Sequence, residues 1–288
     1  MTIRVIPSAQ PVGAEIQGLD LGRPIIAAEF AEVQAGLDRH GMICIRGQRI
    51  SPERFLDFSG RFGAHEKHLF ANFLHPEHPE ILMLSNIVEN GRPIGLADAG
   101  QNWHVDGSFN AKPQLYSLLH SQEIPVDEKG APLGDTSFAS TIYAFETLDS
   151  ATRDLLRPLQ ALHSLGRQYA KRKAQGKRGA HDKVTTQQMD IAPDVYHPAV
   201  MRHPRTGKEC LYVNTNTTFG FKGMPDEEAG PLIDRLVEHI TRPEFVYRHK
   251  WQPGDIIVWD NFAVQHMVSI NFGPQQRRLM HRTTVTGW

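Results

Sequence analysis

Two short fragments, far apart along the chain, restrict the folds that this sequence can adopt. The first contains His104 and Asp106, and the second contains His266, which follows His104 by 162 residues. Side chains two residues apart on a β-strand point to the same face, so a strand over the first fragment would place its two polar side chains together. His266 can join them only if the tertiary structure folds the second half of the chain back onto the first.

These three side chains are of the types that hold a catalytic metal ion. Two histidines and one carboxylate on one side of a metal leave several coordination positions open, as in non-haem Fe(II) oxygenases. The structural alternative makes His104 an ordinary core or surface histidine, one of 15 in the chain. In that case Asp106 would cap a turn, because glycine and serine follow it. The occurrence of both fragments in order favours the metal site.

A pair of arginines follows His266 in the sequence. The second of the pair, Arg278, lies twelve residues beyond the histidine. A fixed positive charge at this point is what a dicarboxylate co-substrate requires. The pair therefore adds a second expectation, that an organic acid binds beside the metal.

Composition limits the partners that we expect. The 288 residues carry a formal net charge of −1, without the positive excess expected of a nucleic-acid binder. The N-terminal residues lack a signal-peptide pattern, and no apolar run is long enough to span a bilayer. Cys44 and Cys210 are predicted to be buried thiols in a reducing compartment, with a disulfide between them as the alternative. We expect a soluble, cytoplasmic protein that acts on a small molecule.

Local patterns predict helices and strands along the whole chain. Apolar residues at helical spacing predict a helix over residues 27–40, which Gly41 would end. Ser51 is predicted to be the N-cap of a second helix, with proline at its first position. Further helices are predicted over 141–148, 150–157 and from Asp226 as N-cap, and strands over 42–46, 81–84, 115–119, 136–138, 211–214, 245–247, 255–259 and 282–286.

Short strands predominate from residue 103 onward. Many short strands with inserted helices favour an α+β protein with a mainly β core, a double-stranded β-helix (jelly roll) decorated by helices. Because no internal repeat and no Pro-rich or Ser-rich linker divides the chain, we expect a single domain over residues 1–288. The mouth of such a barrel is a common place for a small site.

The stretch over residues 167–183 is strongly basic. It holds seven lysines or arginines and a single acid, Asp182. One interpretation is a mobile lid over an anionic substrate. The other, which blocks of like charge favour in general, is a solvated or disordered insertion.

Six motifs, taken in order, resemble one known family. They are Trp103-His104-Val105-Asp106, Gly134-Asp135-Thr136, Gly254-Asp255, Trp259-Asp260-Asn261, Gln265-His266 and the run from Arg277 to Thr284. Together they resemble the taurine dioxygenase family, which also contains the 2-oxoglutarate-dependent aryloxyalkanoate dioxygenases. The resemblance covers nearly the whole chain and is specific in the combination of motifs.

The resemblance implies a role for each matching residue. His104, Asp106 and His266 would ligate Fe(II). Arg278 would bind the far carboxylate of 2-oxoglutarate through two parallel hydrogen bonds, and the hydroxyl of Thr136 would contact the same carboxylate.

Strand periodicity separates the polar residues near the C-terminus. Arg282 lies four residues beyond Arg278 and therefore on the same strand face, whereas Arg277 and His281 should face away from the site. By resemblance, Arg282 would bind the anionic group of the substrate. The alternatives for Arg282 are a structural ion pair and a contact to the metal-bound carboxylate of 2-oxoglutarate.

The activity that the resemblance implies is oxidative. An enzyme using Fe(II), 2-oxoglutarate and dioxygen would hydroxylate an unactivated C–H bond of a small, anionic substrate, such as a sulfonate or an aryloxyalkanoate, releasing succinate and CO2. The rival within this chemistry is a hydroxylase or desaturase acting on an amino-acid-derived biosynthetic intermediate. From another class, a non-oxidative metal-dependent jelly-roll enzyme or a small-molecule sensor stays open.

Two further expectations come from the same comparison. The segments 65–78, 88–100 and 124–134 depart from the pattern of the taurine-specific members, which leaves the substrate open. Relatives in this family often form dimers or tetramers, so we expect a homo-oligomer.

Overall fold

The computed structural model describes residues 2–66, 68, 71–97, 99–176 and 193–286. Among these residues, no helix is both long and apolar enough to cross a membrane. The α-helices of this part of the chain are α1 (Ala27–His40), α2 (Pro52–Ser59), α3 (Thr141–Glu146), α4 (Ser150–Leu156), α5 (Leu165–Ala174) and α6 (Asp226–Ile240).

Strands outnumber helices in the same residues. They are β1 (Arg4–Pro7), β2 (Ala14–Gln17), β3 (Met42–Ile45), β4 (Ala64–His65), β5 (Leu82–Ser85), β6 (Val88–Glu89), β7 (Arg92–Pro93), β8 (Tyr116–Glu123), β9 (Thr136–Ser140), β10 (Gln160–His163), β11 (Val195–Pro198), β12 (Val200–Arg202), β13 (Glu209–Leu211), β14 (Thr218–Phe221), β15 (Val246–His249), β16 (Ile256–Asp260), β17 (Val264–Val268) and β18 (Leu279–Thr286).

The largest sheet joins the two ends of the chain. Its strand order is β1-β2-β3-β16-β8-β18-β4, with β5 also paired to β18. Ile256 of β16 lies opposite Ile45 of β3 on one side and opposite His120 of β8 on the other. All pairs in this sheet are antiparallel except β2 with β3. The N-terminal strands therefore extend a sheet in which β16 and β18, from the second half of the chain, flank β8 from the first half.

A smaller sheet, β15-β9-β17, packs against this large sheet. Phe138 of β9 and Val264 of β17 share a buried cluster with Ile257 and Trp259 of β16. The rings of Phe138 and Trp259 are 5.8 Å apart at their centroids. The fold is thus mixed and mainly β, and two sheets packed face to face are consistent with the predicted jelly-roll core.

The first two helices follow the local sequence signals. Helix α1 spans the predicted residues, buries Val33 and Leu37, and ends at Gly41, whose φ of 68° is the left-handed conformation that glycine adopts readily. Helix α2 begins after Ser51, whose side chain accepts a hydrogen bond from the backbone N–H of Arg54. Both predicted helix starts and the glycine stop of α1 are confirmed.

Other boundaries differ from the prediction. Helix α6 has Pro225 as its N-cap, so Asp226 is the first helical residue and not the cap. Pro231 lies inside this helix and removes one backbone donor, but the buried row from Leu232 to Ile240 packs into a second core cluster that supports the helix. Strand β13 ends at Leu211, short of the predicted residue 214.

The structure also bears on the expectations for the two cysteines and for the basic stretch. Cys44 and Cys210 are free and buried, as predicted, and do not form a disulfide. The first part of the basic stretch, up to residue 174, belongs to helix α5. Residues 177–183 of that stretch, including Asp182, lie outside the described residues.

Candidate active site

The two distant fragments meet through a pair of backbone hydrogen bonds. The His104 amide donates to the His266 carbonyl at 3.1 Å, and the His266 amide donates to the His104 carbonyl at 3.0 Å. The fragment around His104 is not the strand that its spacing predicted, because His104 forms only an isolated bridge and Asp106 begins a turn. The turn that begins at Asp106 and strand β17, which contains His266, together bring the Asp106 carboxylate close to the imidazoles of His104 and His266.

The three predicted ligands lie within reach of a single ion. Their ligand atoms are all within 4.8 Å of one another. Nε2 of His104 is 3.4 Å from Oδ1 of Asp106, and Nε2 of His266 is 3.8 Å from Oδ2. The set has the ligand types of a facial triad, and His104 and Asp106 line a cavity.

The surroundings of Asp106 keep its carboxyl ionised. Ser117 Oγ donates to Oδ2 at 2.8 Å, and Nη2 of Arg282 lies 2.7 Å from the same oxygen. Burial by itself raises the pKa of this carboxyl, but the positive charge of Arg282 and the two neighbouring histidines lower the pKa of Asp106 well below its usual range. An ionised carboxylate is the form that binds a metal.

Both imidazoles are arranged to offer a lone pair. Nδ1–H of His104 donates to the carbonyl of Asn102 at 2.8 Å, so the lone pair of the neutral ring is on Nε2. Burial lowers the pKa of His266 well below its ordinary value, so this ring is neutral at pH 7. Its ring packs against that of Trp259 at a centroid distance of 4.7 Å. The donor set therefore fits a divalent transition metal.

Arg278 is a buried cation without an acidic partner. Among the described residues it forms no ion pair, and its Nε is buried without a hydrogen-bond partner. Burial lowers its pKa to about 10, so it stays charged at pH 7. Arg277 next to it is half-exposed and binds Glu123 at 2.8 and 3.0 Å. The predicted separation of the two arginines is confirmed.

The position of Arg278 is fixed by its neighbours. Its backbone N–H donates to Asn86 Oδ1 at 2.9 Å, and Ser85 Oγ donates to its carbonyl at 2.7 Å. Gly134, at φ +76°, gives the guanidinium its room, because a Cβ there would lie 3.4 Å from Arg278 Nε and 3.1 Å from the ring of Phe272. A buried, unpaired guanidinium held in this way is an anion site.

Thr136 lines a cavity that Arg278 and His266 also line, and we call it the inner cavity. In the antiparallel pair of β9 and β17, Thr136 lies opposite Val268 and Phe138 lies opposite His266, so the hydroxyl and the imidazole share one face. Oγ1 of Thr136 accepts a hydrogen bond from Trp251 Nε1 at 3.0 Å. Its own proton is left to donate to an anion in the cavity. Trp251 was not singled out from the sequence.

Arg282 stands between two cavities, while His281 faces the other way. Arg282 lines both the inner cavity and a larger outer cavity of about 320 Å³. His281 points away from the site as predicted, yet it is only 8% exposed and packs against His75. Burial lowers its pKa to about 4.

The outer cavity contains residues that sequence reasoning missed. Helix α5 contributes one face, with Leu165, Gln168, Tyr169 and Arg172 at helical spacing. That spacing was present in the sequence and was overlooked because the basic residues dominated the pattern. Glu66 and Gln114 line the opposite part of the wall, and no local pattern marked either of them.

Comparison with known proteins agrees with this site. The family model of the taurine catabolism dioxygenase TauD, TfdA family matches residues 4–284. The chain belongs to this family. Its members are 2-oxoglutarate-dependent (alpha-ketoglutarate-dependent) oxidoreductases, so this dioxygenase uses Fe(II), 2-oxoglutarate and dioxygen. The earlier alternatives of a non-oxidative metal enzyme and of a sensor are set aside.

Individual relatives of this dioxygenase differ in what they act on. A pentalenolactone F synthase from Streptomyces arenae is 32% identical, with 98% of this chain and 94% of the relative covered. An alpha-ketoglutarate-dependent sulfate ester dioxygenase from Pseudomonas putida is also 32% identical, with 100% and 90% covered. The crystal structure of a taurine dioxygenase from Burkholderia xenovorans has a TM-score of 0.81 at 28% identity, with 100% and 90% covered.

Proposed function

We propose that His104, Asp106 and His266 hold Fe(II), and that the enzyme hydroxylates an unactivated C–H bond of a small anionic substrate, releasing succinate and CO2. The observation that carries this proposal is the convergence of three ligands beside a buried, unpaired arginine. Bound iron and 2-oxoglutarate together activate dioxygen and supply the oxidising power for the C–H bond. The protein residues supply binding, orientation and a dry cavity.

Arg278 and Thr136 are proposed to bind the far carboxylate of 2-oxoglutarate. The guanidinium of Arg278 has no acidic partner among the described residues, and the Thr136 hydroxyl has a proton to donate. Binding would replace an unpaired buried charge with a charge-assisted pair, which is among the stronger interactions available in a protein. Both side chains lie on the same inner cavity as His266, so the rest of the co-substrate would extend toward the metal ligands.

Arg282 is proposed to attract the anionic group of the substrate. It already makes an ion pair with Asp106, which was one alternative for its role, but its Nε is buried without a hydrogen-bond partner. Arg282 can therefore fix the metal-binding carboxylate and still present positive charge to the outer cavity. A sulfate ester, the compound class named for the Pseudomonas putida relative, carries such an anion.

The second candidate is oxidation within a biosynthetic pathway. It is favoured by the Streptomyces arenae relative, a pentalenolactone F synthase, which matches nearly the whole chain. In this case the same iron site would act on a larger intermediate, by hydroxylation or desaturation. The single-domain organisation and the homo-oligomer also stay proposals.

The iron site is tested by anaerobic titration of the protein with Fe(II) and 2-oxoglutarate. We expect a weak visible absorption band that needs both components and is lost in His104→Ala. Arg278→Met should raise the KM for 2-oxoglutarate about 30- to 100-fold, because a buried charge-assisted pair contributes about 2–3 kcal/mol. The matched control, Arg277→Met, should leave that KM unchanged. A band that persists in His104→Ala would overturn the ligand assignment.

The substrate class is tested by succinate release with sulfonates, sulfate esters, aryloxy acids and amino acids. Active compounds should share an anionic group, and Arg282→Lys should raise the KM of the best of them more than the KM for 2-oxoglutarate. If uncharged compounds are the best substrates, or if Arg282→Lys changes neither constant, the role of Arg282 in binding the substrate anion is wrong.

A further inference from the structure

The outer cavity contains a carboxylate that the iron chemistry does not use. Glu66 lines this cavity beside Arg282 and Asp106. Its Oε1 accepts a hydrogen bond from Asn110 Nδ2 at 3.2 Å, whereas its Oε2 is buried and has no partner among the described residues. A buried polar atom without a partner costs free energy, so an unpaired carboxylate oxygen in a cavity requires an explanation.

Glu66 is held in place by the surrounding backbone. Its N–H donates to the carbonyl of Thr284 at 2.9 Å, which ties it to the strand that carries Arg282. Asn110 is fixed as well, because its N–H donates to the carbonyl of Gly107 at 2.9 Å and its carbonyl accepts from His197 at 3.0 Å. The carboxylate is therefore oriented in advance of any ligand.

A second acceptor oxygen belongs to the same wall. Gln114 also lines the outer cavity, is 9% exposed, and has a buried Oε1 without a hydrogen-bond partner in the described part of the chain. Its side chain lies flat against Gly107, where a Cβ would be 2.5 Å from Gln114 Cδ. Only glycine at position 107 leaves room for this amide. The two oxygens thus form an acceptor pair in a cavity of about 320 Å³.

No described cation neutralises Glu66 directly. Arg282, which lines the same cavity, is bound to Asp106 at 2.7 Å and makes no ion pair with Glu66. Burial raises the pKa of Glu66 because desolvating the carboxylate is costly, and a hydrogen bond with Gln114 and the charge of Arg282 offset only part of this cost. A ligand that donates to Oε2 would remove this cost.

We infer that Glu66 and Gln114 form an acceptor subsite for a hydrogen-bond donor of the substrate, a hydroxyl or an ammonium group. This inference rests on the proposed function and narrows its substrate class. The substrate carries an anionic group for Arg282 and, elsewhere on the same small molecule, a donor for Glu66 and Gln114. A buried acceptor rejects an analogue without the donor, because the oxygens then stay unpaired.

The experiment uses two series of probes, each with the same anionic head and a different tail. The first is propane-1-sulfonate, 3-hydroxypropane-1-sulfonate and 3-aminopropane-1-sulfonate; the second is pentanoate with its 5-hydroxy and 5-amino derivatives. Binding is measured by anaerobic calorimetry on the full-length enzyme with Fe(II) and 2-oxoglutarate, and turnover by succinate release. We expect at least one donor-bearing probe to exceed its unsubstituted partner about 10- to 100-fold in both measurements.

Substitutions of Glu66 and Gln114 test whether the preference for donor-bearing probes arises at this subsite. They also show whether the preferred donor is a hydroxyl or an ammonium group. Glu66→Gln should abolish a preference for ammonium and retain one for hydroxyl, while Glu66→Leu should abolish both. Gln114→Leu, a second variant in case Glu66→Leu does not fold, should reduce the preference at least about threefold. The exposed control Glu128→Gln should match the wild type.

The outcomes separate this inference from the proposed function. If no absorption band forms with Fe(II) and 2-oxoglutarate, the iron site itself fails. If the band forms and the wild type shows no preference for donor-bearing probes, including the case in which it binds none of them, the acceptor subsite is overturned. A preference that survives in Glu66→Leu and in Gln114→Leu overturns it as well.

Discussion

In the described part of the chain, two clusters offer three potential metal-binding side chains each, and they differ in what their donor atoms are already bound to. His104, Asp106 and His266 form one, and a second, fully buried cluster consists of Cys44, His249 and Asp255. In both, the ligand atoms lie within 4.8 Å of one another. Proximity and residue type therefore do not distinguish them.

The environment of the second cluster closes it to a metal. Oδ2 of Asp255 accepts from Arg46 at 2.5 Å and from His249 Nε2 at 3.0 Å, and the other imidazole nitrogen lies 3.3 Å from the hydroxyl of Tyr247. Burial raises the pKa of the Cys44 thiol, which keeps the sulfur protonated in the metal-free protein. In the first cluster Nε2 of His104 keeps its lone pair, and the site opens into a cavity. The comparison teaches that free lone pairs and access define a metal site.

The largest expected difference between the two clusters is in how a substitution in each affects enzyme activity. Asp106→Ala removes one of the three proposed ligands, and the loss of a metal ligand costs several kcal/mol, so we expect substrate-dependent succinate release to fall by at least about 10³-fold. Bound iron after anaerobic gel filtration should fall with it. Asp255→Asn should retain iron in the folded fraction. Iron loss in Asp255→Asn with iron retained in Asp106→Ala would reverse the comparison.

The second cluster should instead control stability. Asp255→Ala leaves the buried His249 without its acid and removes one of the two acidic partners of Arg46, and breaking a buried pair costs about 3–5 kcal/mol. The free energy of unfolding, measured by urea titration, should fall by this amount. Asp154→Ala, which removes an exposed partner of Arg157, should cost less than about 1 kcal/mol. Equal costs for the two variants would show that the buried cluster is not a structural unit.

The second cluster should also affect the pH dependence of stability. Burial lowers the pKa of His249 from 6.5, so the unfolded chain takes up the proton first as the pH falls. The free energy of unfolding should then decrease below about pH 6.5, with His249 contributing at most about 1.4 kcal/mol per pH unit. His249→Gln, which keeps an N–H for Asp255, should flatten the decrease between pH 7 and 5. An unchanged slope would mean that folding does not shift the pKa of His249.

The smallest effect is expected at Cys44. A buried, protonated thiol should resist maleimide in the native protein and react only after unfolding. Cys44→Ala should cost about 1 kcal/mol of stability and leave the iron content unchanged. Zinc bound by the native protein and lost in Cys44→Ala would show instead that the second cluster binds metal.

Much of the site could be predicted because its residue types are rare in combination. The alternation of Arg277 and Arg278 followed from strand periodicity, and the structure has one half-exposed and the other buried. The turn at Asp106 was expected only under the structural alternative to a metal site, whereas the structure combines this turn with the convergence of the three side chains. Glu66 and Gln114 carry no local signal. Their significance lies in unpaired oxygens, which depend on neighbours distant in sequence.

The sequence by itself determined the helix ends at Gly41 and Ser51 and the types of the metal ligands, because backbone conformation and donor chemistry are local properties. The tertiary structure decided which of the two clusters opens into a cavity, whereas in the other both nitrogens of His249 and Oδ2 of Asp255 find partners through strand packing. It also decided what the cavity can bind. The proposed roles of Arg278 and Glu66 arise only because folding buries the Nε of Arg278 and the Oε2 of Glu66 without a hydrogen-bond partner among the described residues.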